Sequence, residues 1–427
     1  MKSLKIDENS QNYPCSVVTI GRVFDIVNAD ALKRVVVFAN DVVVSKDTKE
    51  GDVMLYFQAG TQLSEDVMRI YNLNEDNALN EDTSVKGYVS SKRRLIKAIK
   101  LRGTISDGIL LPISKLSEFL GVTLEDGDEF THVNDIEVCK KYVVPKKGGE
   151  SQNTQLGKQP KANKLKELLV DNQFRFHHET EHFAKNLHKF QLDTEVIITR
   201  KYHGSSLILS RVLIQKQLSW IERMIDKYIT PIPKSEYGYV FSSGKPKSRL
   251  PKGVLSSEQT WNSPTDSFYS ENIWKKALDL YRDCLESGVT LYGEIVGDGI
   301  QGPEYTYGFP YKIFIYRITQ TNVDGVVYEF SWEDVKRYCD KYGISYVDEY
   351  FVGKVSELIS SVDITYEEHP VLEYLKEAYL DKSYPDCKVD EGICIRHRGS
   401  NEIFKLKSPK FIMGESAELE KGIENES

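Results

Sequence analysis

Residues 145–163, PKKGGESQNTQLGKQPKAN, carry almost no apolar side chain and interrupt a chain that is otherwise rich in short β-branched runs. Such a segment buries too little surface to offset the entropy of ordering it, so it reads as a solvated linker between two independently cored units. A single core seldom grows past roughly 250 to 300 residues, and the 427-residue chain has room for a domain on each side. The expected organisation is a domain over 1–145, a linker over 146–163, a second domain over 164–414 and an acidic tail over 415–427.

Before the linker, VVTIGRVFDIV, RVVVFANDVVVS, GDVMLYFQAG and LRGTISDGILLPIS alternate strand-like runs with Gly and Asp turns. They predict a small all-β barrel, OB-like in its strand spacing, although SH3-like barrels share that pattern. After the linker, EVIITRKYHG, TLYGEIVG, YKIFIYRIT and GICIRHRG read as strands, and LIQKQLSWIERMIDKYI and WKKALDLYRDCLESG as amphipathic helices. The fold class expected is therefore α+β, an antiparallel-sheet domain preceded by an OB-like barrel. Little follows Lys407 except glutamate-rich sequence, so no third domain is expected there.

No stretch is long and apolar enough for a membrane span, and MKSLKIDENSQNYPC lacks the parts of a secretory signal, so a cytoplasmic monomer is expected. Six scattered cysteines without a CxxC pair suit reduced thiols better than zinc or disulfides. The net charge of −8 argues against indiscriminate coating of nucleic acid, yet SSKRRLIKAIKLRG at 90–103 has six basic residues and no acid. It is either a phosphate-tracking stripe or an ordinary solvated face.

Two motifs mislead. His178-Glu179-Thr180-Glu181-His182 matches HExxH, but its polar surroundings offer no third zinc ligand, and a surface helix is the better reading. Gly297, Gly299 and Gly302 match GxGxxG, but PEYTYGFP cannot begin the helix a dinucleotide site requires, so these glycines form a turn.

A different set carries chemistry. Lys201 ends a strand and precedes Gly204, where the chain can bend close to a phosphate. A lysine becomes a nucleophile when its ammonium is desolvated or set beside other cations. Glu294 in YGEIVG and Glu391 in EGICIR suit a magnesium ion or a ribose hydroxyl, and Lys405 and Lys407, two apart on one strand face, suit a triphosphate. Each is commonplace alone; the ordered set points to covalent nucleotidyl transfer.

In these residues the chain resembles the covalent nucleotidyltransferase superfamily of RNA ligases, DNA ligases and capping enzymes. Its motifs stand as Lys201-Tyr202-His203-Gly204, Tyr292-Gly293-Glu294, the strand from Lys312 to Ile318, Glu391-Gly392 and Lys405-Leu406-Lys407. KxHG in place of KxDG, the preceding FHHETEHFAKNLHKF and the N-terminal barrel make it most similar to the Deinococcus-type RNA ligases. The resemblance covers about 165–410, and the first 145 residues only loosely.

It implies an ATP-dependent ligase joining RNA 3′-hydroxyl and 5′-phosphate ends, with Mg2+ or Mn2+. Lys201 would take the adenylate and His203 would lie near the departing pyrophosphate. Glu294 and Glu391 would position ribose and metal, and Lys405 with Lys407 would hold phosphates. Gly204 would approach the nucleotide, and Tyr316 or Phe314, expected on one face of IFIYRI, would stack on adenine. The arginine expected after the first motif is missing where Ser243 stands; Arg249 is the candidate, with Arg211 or Lys245 as substitutes. The barrel and the basic stripe would grip RNA while the second domain adenylylates itself unaided. The competing readings are a DNA ligase, a capping-type guanylyltransferase, or an inactive RNA-binding protein of the same fold.

Overall fold

The computed structural model describes residues 2–144, 165–177, 180–244, 251–256, 269, 272–359, 370–384, 387, 389–400 and 402–422. The expected linker 146–163 lies outside them, as do Lys245, Arg249, and His178 and Glu179 of the HExxH match.

Up to residue 144 the chain is built mainly of short strands. Val53–Phe57 lies between Cys15–Thr19 and Ile109–Pro112 in one antiparallel sheet, and Val23–Asp25, Leu32–Val37 and Asn40–Ser45 form another. Strand alternation turns Val35, Val37, Val42 and Val44 inward onto Ile20 and Tyr56, while Cys15, Val17, Leu55, Phe57 and Phe130 fill a second core. The basic segment is only partly a free face. Arg94 pairs with Glu65 and Lys97 with Glu420, leaving Lys92, Lys100 and Arg102 exposed.

The second part consists of two sheets. One runs in the order Glu181–His182, Ile403–Lys407, Gly392–His397, Glu195–Lys201, Glu349–Lys354. The other runs Gly253–Leu255, Ser235–Ser242, Ser205–Gln215, Val289–Gly297, Tyr311–Thr321, Val327–Glu329. On the first sheet Val196, Ile198, Ile393, Ile395, Phe404 and Leu406 pack against Leu358, Leu372 and Leu375 from the helices behind it. The two-residue period of strands then sends Lys201, Gly392, Cys394, Lys405 and Lys407 to the opposite face.

Three expectations change. LIQKQLSWIERMIDKYI is not helical throughout: Ser205–Gln215 stays a strand because Val212 and Ile214 pack on Val240 and Val254. Its helix is confined to Trp220–Tyr228, started by a Ser219–Glu222 capping box. The HExxH match is not a surface helix where it is described, since Glu181–His182 pairs in parallel with Phe404 and Lys405. The boundary at 414/415 falls inside a helix, Pro409–Lys421, that packs against the N-terminal unit. The GxGxxG glycines do form a turn, with φ of 138°, 74° and 125° at Gly297, Gly299 and Gly302.

Gly392 has φ of 140°, and a Cβ there would sit 2.2 Å from the Leu406 carbonyl oxygen. Gly392→Ala should therefore cost about 2 kcal/mol or more in urea unfolding, from backbone strain and displacement of the adjacent strand. An unchanged midpoint would show that the strands can part without loss.

Candidate active site

The chain passes from the first sheet to the second in three residues, Tyr202, His203 and Gly204. Each is pinned. The Tyr202 hydroxyl donates to Asp348 at 2.9 Å and its ring stacks on Phe314 with centroids 4.2 Å apart. The His203 N–H donates to the Tyr307 hydroxyl at 2.9 Å, and the Gly204 N–H donates to Glu294 Oε1 at 3.1 Å. A Cβ on Gly204 would lie 2.2 Å from the Ile295 carbonyl oxygen, so glycine is required here by the close approach of the neighbouring strand. The expected bend toward a phosphate is not the reason: its φ is not in the left-handed range.

Lys201 and Lys407 both stand opposite Gly392, one on each flanking strand. Strands lie about 4.8 Å apart, so the two lysine backbones are roughly 10 Å apart with no side chain between them. The Glu391 carboxylate fills that space, 2.7 Å from Lys201 Nζ and 3.7 Å from Lys407 Nζ. Burial pushes Glu391 up, but the charges of Lys201 and then Lys407 hold it below the usual carboxylate range. Burial pulls Lys201 down, and the attractions of Glu391, Cys394 and Glu294 together outweigh it, leaving the amine above its ordinary value. Lys407 is also held by both oxygens of Glu415, at 3.1 and 3.0 Å.

His203 is 1% exposed and wedged edge-on between Tyr305 and Phe411, with centroids 4.6 and 4.8 Å away. Desolvation pushes its pKa down to about 4, so the ring is neutral near pH 7. Neither ring nitrogen has a hydrogen-bond partner among the described residues, and Nδ1 lies 3.9 Å from Glu391. A buried polar group in that condition costs free energy until a ligand atom or water satisfies it.

Glu294 sits across from Ser206 and Phe314 on the second sheet. Burial pushes its carboxyl up to about 8, against the pull of Lys201. Among the described residues it forms no ion pair, and no cluster of three or more His, Cys, Asp or Glu could hold a metal by itself. The fit is to a hydrated divalent cation that takes one or two carboxylates and completes its shell with nucleotide phosphates.

Two aromatic expectations separate. A bulge pairs Tyr292 with Arg317 and Gly293 with Ile315, skipping Tyr316 and breaking the alternation that put Phe314 and Tyr316 on one face. Phe314 is thereby committed to the core against Tyr202 and is not free to stack on a base. Tyr316 is half-buried and edge-on to His177 at 5.3 Å, and its hydroxyl is raised by burial and then by Glu294.

Arg211 does not substitute for the missing arginine. It lies five residues along the strand from Ser206, about 16 Å away, donating to the Leu285 carbonyl and resting over Tyr239. Lys405 shares the face of Lys407, opposite Cys394. Glu415 was not legible as a site residue, because nothing in a glutamate-rich tail marks one carboxylate as the partner of a lysine eight positions earlier.

The site joins a lysine at a strand end, carboxylates of opposite electrostatic character and a second lysine in one groove, the arrangement of a covalent nucleotidyltransferase. The sequence model of the RNA ligase family matches residues 194–407, half of the chain, and an OB-fold domain model matches residues 15–113. The chain belongs to the RNA ligase family, with an N-terminal OB-fold domain ahead of an antiparallel-sheet ligase domain. Among solved structures it is similar to Naegleria gruberi RNA ligase, covering 94% of this chain and 98% of that one. An apo aspartate-to-alanine variant gives a TM-score of 0.58 at 15% identity, and a lysine-to-methionine variant with AMP and manganese gives 0.58 at 14%. At such identity the likeness is one of fold. A search of curated proteins found no match, and no helix among the described residues is long and apolar enough to cross a membrane.

Because the folded pKa of Glu294 is raised from 4.5 to about 8, its contribution to stability is complete below about 4.5 and is lost as pH rises through about 8. Glu294→Gln cannot ionise. Its melting temperature relative to the parent should therefore shift upward between pH 5 and pH 8.5 in metal-free buffer. An equal difference at both pH values would contradict a buried, proton-binding Glu294.

Proposed function

We propose that this enzyme seals RNA ends using ATP, with Lys201 as the covalent nucleophile. The observation that carries the reading is Lys201 Nζ held 2.7 Å from Glu391 in a groove shared with Glu294, His203 and Lys407. Lys201 Nζ attacks the α-phosphorus of ATP in line; an N–P bond forms and the bond to pyrophosphate breaks. Glu391 is within reach to receive the proton that the ammonium must lose. AMP then passes to an RNA 5′-phosphate, and a 3′-hydroxyl attacks that phosphorus and expels AMP. These steps depend on positioning and on charge stabilisation more than on covalent chemistry from the protein.

Lys405 and Lys407 would bear the negative charge of the phosphates, and neutral His203 would give a hydrogen bond to the departing oxygen. Glu294, Glu391 and the phosphates would hold Mg2+ or Mn2+, whose positive charge when bound favours the neutral amine of Lys201 and neutralises the phosphates. Tyr316 would stack on adenine, with the Gly204 backbone beside the nucleotide. Arg249, outside the described residues, is the remaining candidate for the missing arginine.

The barrel over 1–145 would contact RNA through its exposed cations, with 146–163 as a tether and 164–414 as the catalytic unit. We place the enzyme in RNA repair, acting as a cytoplasmic monomer; the site is assembled within one chain and all six cysteines are free thiols.

Incubation with ATP and Mg2+ or Mn2+ should add one AMP to the intact mass, with no addition from GTP and none in Lys201→Ala. A chain that acquires GMP instead would be a capping-type enzyme. Nicked duplexes ending in an RNA 3′-hydroxyl should be sealed faster than the same nicks ending in DNA, and the reverse preference would indicate a DNA ligase.

A further inference from the structure

Residues 415–427 were expected to be an acidic tail, yet the first of them belong to the helix Pro409–Lys421, which follows the last motif strand. Its start is tied to the site. The Ser408 N–H donates to the Glu391 carbonyl at 2.9 Å, and Ser408 Oγ accepts from the Asp381 N–H at 3.1 Å. One side of the helix meets the groove: Phe411 packs on His203 at 4.8 Å between centroids, and Glu415 takes Lys407 Nζ with both carboxylate oxygens at 3.0 and 3.1 Å. Lys407 is therefore closer to Glu415 than to Glu391, which stands 3.7 Å away.

The other side meets the barrel. Ser416 Oγ accepts from the Ala98 N–H at 3.1 Å, Glu420 pairs with Lys97 at 2.9 Å, and Leu419 packs on Leu95, Tyr142 and Val144. Glu415 and Ser416 are consecutive, so one peptide unit touches the catalytic groove and the barrel backbone at once. Asp107 and Gln58 of the barrel line the same cleft as Lys405, Lys407 and Glu415. A lysine ammonium on a flexible four-carbon stem has no preferred direction of its own, and a two-oxygen grip from a rigid helix supplies one.

We propose that Glu415 is a positioning residue that aims Lys407 at the phosphate being transferred, and that the barrel, acting through the helix Pro409–Lys421, is a working part of self-adenylylation. This replaces the picture of two independent modules, one for RNA and one for chemistry. It rests on Lys201 being the adenylylated residue.

The test is single-turnover formation of enzyme-AMP in the full-length chain at varied ATP. Glu415→Gln should lower the maximal rate on the order of a hundredfold while the ATP concentration for half-maximal rate changes little, because a misaimed ammonium affects the transition state more than binding. Glu415→Asp should recover part of the rate, which a purely structural role would not predict when both variants melt alike. Lys97→Glu, which sets two carboxylates together on the far side of the helix, should slow the reaction severalfold, and the exchange Lys97→Glu with Glu420→Lys should restore it. A parental rate in Glu415→Gln would overturn the positioning role, and a parental rate in Lys97→Glu would overturn the coupling to the barrel. Should Glu415→Gln not fold, Glu415→Asp and the Lys97 exchange still decide. A parent chain that takes up no AMP would instead refute the ligase chemistry underneath.

Discussion

The structure depends on a single buried carboxylate with one lysine on either side. Glu391 is almost sealed from solvent, and taking a carboxylate out of water costs several kcal/mol unless charge and hydrogen bonds compensate. Lys201 at 2.7 Å and Lys407 at 3.7 Å provide that compensation, and they can do so only because Gly392 stands between them without a side chain. A side chain at 392 would meet the Leu406 carbonyl, and without the Glu391 carboxylate Lys201 would lose its 2.7 Å partner. Lys201 is thus placed by an electrostatic necessity of the fold, in a position that packing already enforces.

The two glutamates of the groove show how neighbours divide roles between identical side chains. Both are buried, and burial pushes each upward. Glu391 has cations on two sides and stays ionised, whereas Glu294 has the Gly204 amide and a more distant Lys201 and rises to about 8. The same side chain thus holds its proton more tightly at 294 than at 391. Neutral His203, buried with neither ring nitrogen hydrogen-bonded among the described residues, adds a third polar group to the groove.

The helix Pro409–Lys421 binds these parts to the rest of the molecule. Its residues reach Lys407 and His203 on one side and Lys97, Ala98 and Tyr142 on the other, so the barrel and the groove share a rigid element. Two of the six cations in the basic segment that seemed a surface for nucleic acid are used in such internal pairs, Arg94 and Lys97 being engaged by Glu65 and Glu420. The remaining exposed cations, Lys92, Lys100 and Arg102, are those left to meet a phosphate backbone.

What the sequence determined by itself was whatever repeats along the strand axis or sits within a few residues. Alternating valines and isoleucines specified the two β-rich units, Lys405 and Lys407 were bound to share a face, and the order of Lys201, Glu294, Glu391 and Lys407 marked the class of chemistry. Local patterning misled where a distant surface overruled it. Leu213 to Gln215 remained strand because Val240 and Val254 cover that face, and Phe314 and Tyr316 were parted by a bulge that alternation cannot reveal. Only the tertiary structure decided that Glu391 would rest over Gly392 between two lysines, that Gly204 answers a neighbouring carbonyl, and that Glu415 would seize Lys407. Those contacts join residues from different strands and helices, and their energies depend on burial and on charges brought from afar, which no window of sequence contains.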